Sequence, residues 1–191
     1  MGDEGKKYSS DDVATILEFF GIKLTTPNQE FAEILKTDVG DLLHTDVKAL
    51  FARYRATIDD LRTKNPGTTF VHVTAPLTVV QGGVKENLKR LLGRAPYGTI
   101  ENMRREEYNT LLRQAYRERE PIFDLARVES TAPDGTVVTT EWKGSVAPAM
   151  APAYTDDGGH LNAAGKLRAA RELVSVLAAI PGRPAVGGPA R

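Results

Sequence analysis

Thr68-Thr69-Phe70-Val71-His72-Val73-Thr74-Ala75-Pro76 is the stretch on which the fold turns. It is rich in β-branched and aromatic residues, carries no Lys, Arg, Asp or Glu, and stops at a proline. That pattern predicts a strand buried on both faces, as an inner strand of a parallel sheet is. Upstream, Val47, Leu50, Phe51, Tyr54, Ile58 and Leu61 recur at three- and four-residue intervals. They predict a long amphipathic helix from Thr45 that Asn65-Pro66-Gly67 ends. Downstream, the loop Gln81-Gly82-Gly83 leads to a short basic helix over Val84 to Leu92. A second long helix begins at Thr99, with Ile100, Met103, Tyr108, Leu111, Leu112 and Ala115 on its apolar face, and ends before Pro121. Pro121-Ile122-Phe123-Asp124-Leu125-Ala126 then predicts a short apolar strand with one acid inside it. Helix, strand, helix, strand is the rhythm of parallel α/β units.

The whole chain of 191 residues is long enough to bury a core without staples. Hydrophobic residues make up 41% and charged residues 26%, a globular balance that argues against wholesale disorder or a fibrous repeat. Lys plus Arg and Asp plus Glu are equal at 25 each, so no overall field draws the protein to nucleic acid or an anionic membrane. The absence of cysteine excludes disulfides, thiolate metal sites, a catalytic thiol and iron–sulfur clusters. Met1 to Ser10 is polar and charged, unlike a secretory signal, and no apolar run approaches the roughly 20 residues that span a bilayer. As it stands the chain reads as cytoplasmic.

Two short helices are expected before Thr45. Ser10 can cap one carrying Val13, Ile16, Leu17 and Phe20, and Thr26-Pro27-Asn28-Gln29 opens another carrying Phe31, Ile34 and Leu35. Towards the C-terminus, Pro133-Asp134-Gly135 is a turn, and Thr136 to Trp142 is an edge strand or half of a hairpin outside the main sheet. Val146 to Ala153 reads as irregular loop, and Asn162 as the cap of a last helix bearing Leu167, Ala170, Leu173, Val174 and Leu177. Residues 181–191, with three Pro and three Gly, are expected to be a disordered tail.

The chemistry concentrates in Tyr154-Thr155-Asp156-Asp157-Gly158-Gly159-His160-Leu161-Asn162. An Asp and a His three apart, with two glycines between and a helix after, can fold so that the carboxylate meets the imidazole across a tight turn. Asp157 would then accept the proton on one ring nitrogen of His160, fix its tautomer, and stabilise the cation formed when the other nitrogen takes a proton from a nucleophile. Taken alone, such a turn before a capped helix is ordinarily structural. Its place between the last strand and the last helix brings it to the carboxyl edge of the sheet, where α/β proteins bind ligands.

Asp157-Gly158-Gly159-His160 resembles the Asp-x-x-His block that closes the SGNH hydrolases, a lipase and esterase superfamily. The likeness extends to Thr45-Asp46-Val47 with Leu50 to Tyr54, Phe70 to Leu77, Arg105 with Tyr108-Asn109, Phe123 to Ala126 with Glu129-Ser130, Pro133-Asp134-Gly135, and Tyr154 to Asn162. It covers roughly residues 45 to 180. The resemblance implies a three-layer α/β/α flavodoxin-like parallel sheet, incomplete at the N-terminus if its first strand is missing, and hydrolysis of a small-molecule ester or acetyl group through an acyl-serine. Asp157 and His160 are the catalytic pair it implies. The chain departs from that family at the nucleophile: no apolar strand before Thr45 leads into Gly-Asp-Ser, and Gly2-Asp3-Glu4 has Glu where Ser should stand. Residues 1–44 do not match the family.

The remaining candidates read as structural. Ser9 and Ser10 are the only serines before residue 130, and Ser10 is better explained as a cap. Ser130 reads as a turn residue, Ser145 lies in a loop, and Ser175 falls within a helix. His72 is expected to be buried and hydrogen-bonded mid-strand, and His44 solvent-facing; with no His-x-x-x-His pair, no metal and no cofactor are expected. Asp156 beside Asp157 lacks the evenly spaced ligands of a calcium loop. Val84 to Arg119 holds nine Lys or Arg against five Glu, read as solvated helix faces rather than a nucleic-acid surface. Arg105 and Asn109 share a helix face, structural or near the site, and Asp124 should sit at its strand's end or be hydrogen-bonded there. Two functions follow: an SGNH-like ester hydrolase with an unplaced nucleophile, or a catalytically inactive or truncated domain of that fold serving as a binding module, with an exposed sheet edge that favours self-association.

Overall fold

The computed structural model describes residues 46–180. All of them belong to the unit Leu43–Arg191, one of two into which the chain divides. The two expected helices before Thr45, Ser9, Ser10, His44 and the expected tail over 181–191 lie outside the described residues.

Helix α1 spans Val47–Lys64. Its cap is Asp46 rather than Thr45: the Asp46 carboxylate accepts from the backbone N–H of Lys48 at 3.0 Å and of Ala49 at 3.1 Å. Val47, Phe51 and Ile58 are its buried residues. Strand β1 is His72–Val73, and it pairs in parallel with β2, Ile122–Phe123, with His72 opposite Ile122 and Val73 opposite Phe123. The expectation of a strand buried on both faces is corrected. Successive side chains alternate across a strand, so His72 is buried while Val73 is 46% exposed, and among the described residues β1 has one strand neighbour.

Helix α2, Val84–Leu91, and helix α3, Thr99–Tyr116, follow. Phe51 of α1 packs with Leu112 and Tyr116 of α3 in one core cluster, flanked by Tyr54, Tyr108, Leu111, Ala115 and Ile122. Asp124 follows β2 and caps α4, Leu125–Ser130, so the strand expected through Ala126 stops three residues earlier, at Phe123. The cause is local: the Asp124 carboxylate accepts the Arg127 N–H at 3.2 Å and starts a helical turn.

Strands β3, Thr139–Trp142, and β4, Ser145–Pro148, form an antiparallel hairpin. The expected loop at Val146 is therefore partly strand. Lys143 and Gly144, both in the left-handed region at φ 50° and 79°, make a two-residue turn whose twist matches the right-handed twist of the strands it joins. After a single 3₁₀ turn at Pro152–Tyr154, helix α5 runs over Ala163–Ala178 and packs on α4 and β2. Asn162 caps it, accepting the Gly165 N–H at 3.1 Å. Leu77, Ala126 and Met150 form a second core cluster, joined by Val79 and Leu161. The described residues are thus a mixed α/β arrangement with one parallel and one antiparallel two-stranded sheet.

Candidate functional site

Past β1 the chain stays extended but is held by side chains instead of a strand. Thr74 Oγ1 accepts the Ala126 N–H at 2.9 Å. The Asn109 carboxamide takes both backbone groups of Ala75, accepting its N–H at 2.6 Å and donating to its carbonyl at 3.1 Å. Asn102 does the same for Thr78, at 2.9 and 2.7 Å, and Glu129 Oε2 accepts the Leu77 N–H at 2.6 Å. Asn102, Asn109 and Glu129 are all buried. Buried peptide groups require partners, and here three long-range side chains replace a β-ladder. Val79, which follows Thr78, donates its N–H to the Gly158 carbonyl at 2.9 Å, which seats the loop carrying Asp157 and His160 against the segment after β1.

That loop is closed by a bridge between Thr155 and Leu161. Gly158 holds φ 87°, a conformation open to glycine, and its N–H donates to Thr155 Oγ1 at 2.9 Å. Asp157 Oδ1 accepts from the backbone N–H of Gly159 at 2.9 Å and of His160 at 2.8 Å, and from the Thr155 hydroxyl at 3.2 Å. Asp157 Oδ2 lies 2.7 Å from His160 Nδ1. The bonds from the Gly159 and His160 N–H groups, followed by that from the imidazole, hold the Asp157 carboxyl well below the usual carboxylate range. An ionised carboxylate only accepts, so the proton of the neutral imidazole sits on Nδ1 and Nε2 is the acceptor. Nε2 has no hydrogen bond among the described residues, and the His160 side chain is 89% exposed. Asn162 steadies the loop, donating to the Ala153 carbonyl at 3.2 Å and to Asp156 Oδ1 at 3.3 Å.

The other sequence candidates fall into place around this edge. Ser130 is the last residue of α4 rather than a turn residue, buried, with Oγ donating to the Arg127 carbonyl at 3.3 Å. Ser175 donates to the Arg171 carbonyl within α5, and Ser145 opens β4. His72 is buried and satisfied, with Tyr54 OH at 2.6 Å from Nδ1, Glu120 on Nε2, and the Tyr116 ring stacked 3.7 Å away. Asp124 makes a two-pronged ion pair with Arg113, both contacts at 2.8 Å. Burial alone would raise its pKa, but Arg113 more than offsets this and the carboxyl lies below its ordinary value. Arg105 donates to Thr78 Oγ1 at 3.2 Å, beside the site.

Asn102 and Glu129 escape the sequence reading as functional residues. Burial raises the Glu129 carboxyl to about 7, against the bond from Leu77 N–H and the charge of Arg105. Neither Glu129 nor Asn102 carries a local signal: their partners, Leu77 and Thr78, lie 52 and 24 residues away.

Comparison with known proteins returns no match, neither among family models, nor among curated proteins, nor among solved structures. Among the described residues no helix is long and apolar enough to cross a membrane.

Proposed function

We propose that residues 45–180 are an SGNH-like three-layer α/β/α domain, and that the chain carries the base half of a serine ester hydrolase. His160 is the general base and Asp157 its orienting partner. Nε2 takes the proton of a serine hydroxyl as that oxygen attacks the ester carbonyl, and returns it to the departing alkoxide; water then releases the acyl group by the same route. The observation that carries this reading is the Asp157 carboxylate fixed by two backbone N–H groups and bonded to Nδ1 at 2.7 Å, with Nε2 left open. No serine hydroxyl bonds Nε2 among the described residues, and the nucleophile in this proposal is assigned to no residue. Incubation of the full chain with a fluorophosphonate probe tests it. Labelling that depends on His160, with cleavage of short-chain nitrophenyl esters above a His160→Ala control, supports the reading; no labelling and no cleavage reject it.

A second reading rests on the 89% exposure of the His160 side chain and on the strand edge at Val73, 46% exposed. In it the domain is a catalytically inactive binding module that associates through the side of β1 that has no strand neighbour among the described residues. Light scattering after size exclusion separates the two readings: a concentration-dependent dimer without probe labelling favours the module.

A further inference from the structure

Five arginines among the described residues are partly buried: Arg62, Arg104, Arg105, Arg113 and Arg168. Burying a cation is costly unless it is paired, and four of the five are compensated. Arg62 bonds Asp59 and Glu120, Arg104 bonds Glu107, and Arg113 bonds Asp124 and Glu106. Arg168 lies over the Tyr154 ring at 5.7 Å. Arg105 is different. Its Nη1 reaches Thr78 Oγ1 at 3.2 Å and Asn102 Oδ1 at 3.4 Å, both uncharged, and Asn102 Oδ1 already accepts the Thr78 N–H. Among the described residues Nε and Nη2 make no hydrogen bond and no carboxylate lies within ion-pair distance of Arg105. Burial lowers the Arg105 pKa, with Glu101, Glu129 and Tyr97 acting against it only through space.

The place of this guanidinium matters as much as its missing partner. Arg105 touches Thr78, and the next residue, Val79, holds Gly158 of the dyad loop. Leu161, immediately after His160, packs in the same cluster as Val79. The dyad loop and this cation are therefore held by two adjacent residues, Val79 and Thr78, on the segment that follows β1. We propose that Arg105 is an oxyanion-binding residue that takes the carboxylate of an acidic ester substrate beside the Asp157–His160 dyad. A guanidinium presents a planar fork that matches a carboxylate. One cation with Glu101 and Glu129 nearby favours a monoanion over a phosphate dianion, whose second charge those acids would repel. The substrate assignment rests on the hydrolase reading above, while the anion site is testable without it.

The test is calorimetric titration of the full chain bearing His160→Ala, which cannot turn the ligand over, with monomethyl succinate and with its neutral dimethyl ester. Binding of the monoanion, weakened by salt and at least about tenfold tighter than that of the diester, is expected. Adding Arg105→Gln should remove about that tenfold preference. Arg105→Lys, which keeps the charge and loses the fork, should retain part of it, and guards against a Gln variant that fails to fold. Equal affinity for the two ligands, a preference that survives Arg105→Gln in a folded protein, or binding of inorganic phosphate that monomethyl succinate does not displace would each overturn the proposal. Anion binding without fluorophosphonate labelling leaves the Arg105 site standing and removes the hydrolase; labelling without anion binding does the reverse.

Discussion

Glu129→Gln should change how stability responds to pH in one direction only. The Glu129 carboxyl is 2% exposed, and its pKa is raised by burial from the ordinary 4.5 to about 7. The unfolded chain releases this proton near the ordinary value and the native state releases it later. Between the two, the native state binds more protons, so this group makes stability fall as pH rises. At about 1.36 kcal/mol per pH unit, full displacement from 4.5 to about 7 corresponds to roughly 3 kcal/mol. An effect of about 2–3 kcal/mol between pH 4.5 and 8 is expected. Glutamine keeps a carbonyl oxygen for the Leu77 N–H and removes the titration.

Other carboxylates act in the opposite sense. Burial is the largest single influence on Glu120 and Asp124 and acts to raise both, but the opposing bonds and charges together, from His72 and Arg62 on the first and chiefly from Arg113 on the second, leave both folded-state pKa values below their ordinary ones. They contribute stability that is lost as pH falls into the acid range, and they are unchanged in the variant, so they cancel in the difference. Urea unfolding followed by the fluorescence of Trp142, the single tryptophan, gives that difference at successive pH values. The variant should gain on the wild type by about 2–3 kcal/mol from pH 4.5 to 8. A difference flat to within about 0.5 kcal/mol, or a wild type that gains on the variant as pH rises, would refute the assignment of Glu129 as a buried acid held near neutrality.

The remaining predictions concern the dyad and its support. Asp157→Asn turns an amide N–H toward Nδ1 and leaves the proton on Nε2, so ester hydrolysis should drop by about 10⁴-fold with the fold intact by circular dichroism. Asn109→Ala strips both backbone groups of Ala75 of their partner; urea unfolding should show a loss of about 2–4 kcal/mol. Gly98 sits at φ 86°, and a Cβ there would lie 2.4 Å from the Val79 carbonyl oxygen. Gly98→Ala should therefore cost about 2 kcal/mol or more and displace the segment that holds Gly158, seen as faster amide exchange at Val79.

What the sequence made legible follows the range of the interactions involved. Helices α1, α3 and α5 have apolar spacings and caps that lie within one or two turns, and the expected spans fall close to the observed ones. Asp124 was legible as an acid needing a partner, but not as a helix cap, because the apolar letters around it fit either a strand or a short helix. The uncharged β-branched run around Val73 looks the same whether one face or two is covered. Only the neighbouring strands decide that, and they lie elsewhere in the chain.

The same distinction separates the two halves of the candidate site. Asp157, the N–H groups that fix it, and His160 lie within four consecutive residues, so spacing alone carries their geometry. The shelf on which that loop rests is built from partners 24 residues apart for Thr78 and Asn102, 34 for Ala75 and Asn109, and 52 for Leu77 and Glu129. No local pattern encodes such pairings. A general base does chemistry only when a hydroxyl and preorganised donors meet it within about 3 Å, and those groups must also arrive through long-range contacts. A legible dyad is therefore evidence for a way of moving a proton, while the substrate depends on what surrounds Nε2. Arg105, held beside Thr78 and without a carboxylate partner among the described residues, is the feature of those surroundings to which the proposal gives a chemical preference.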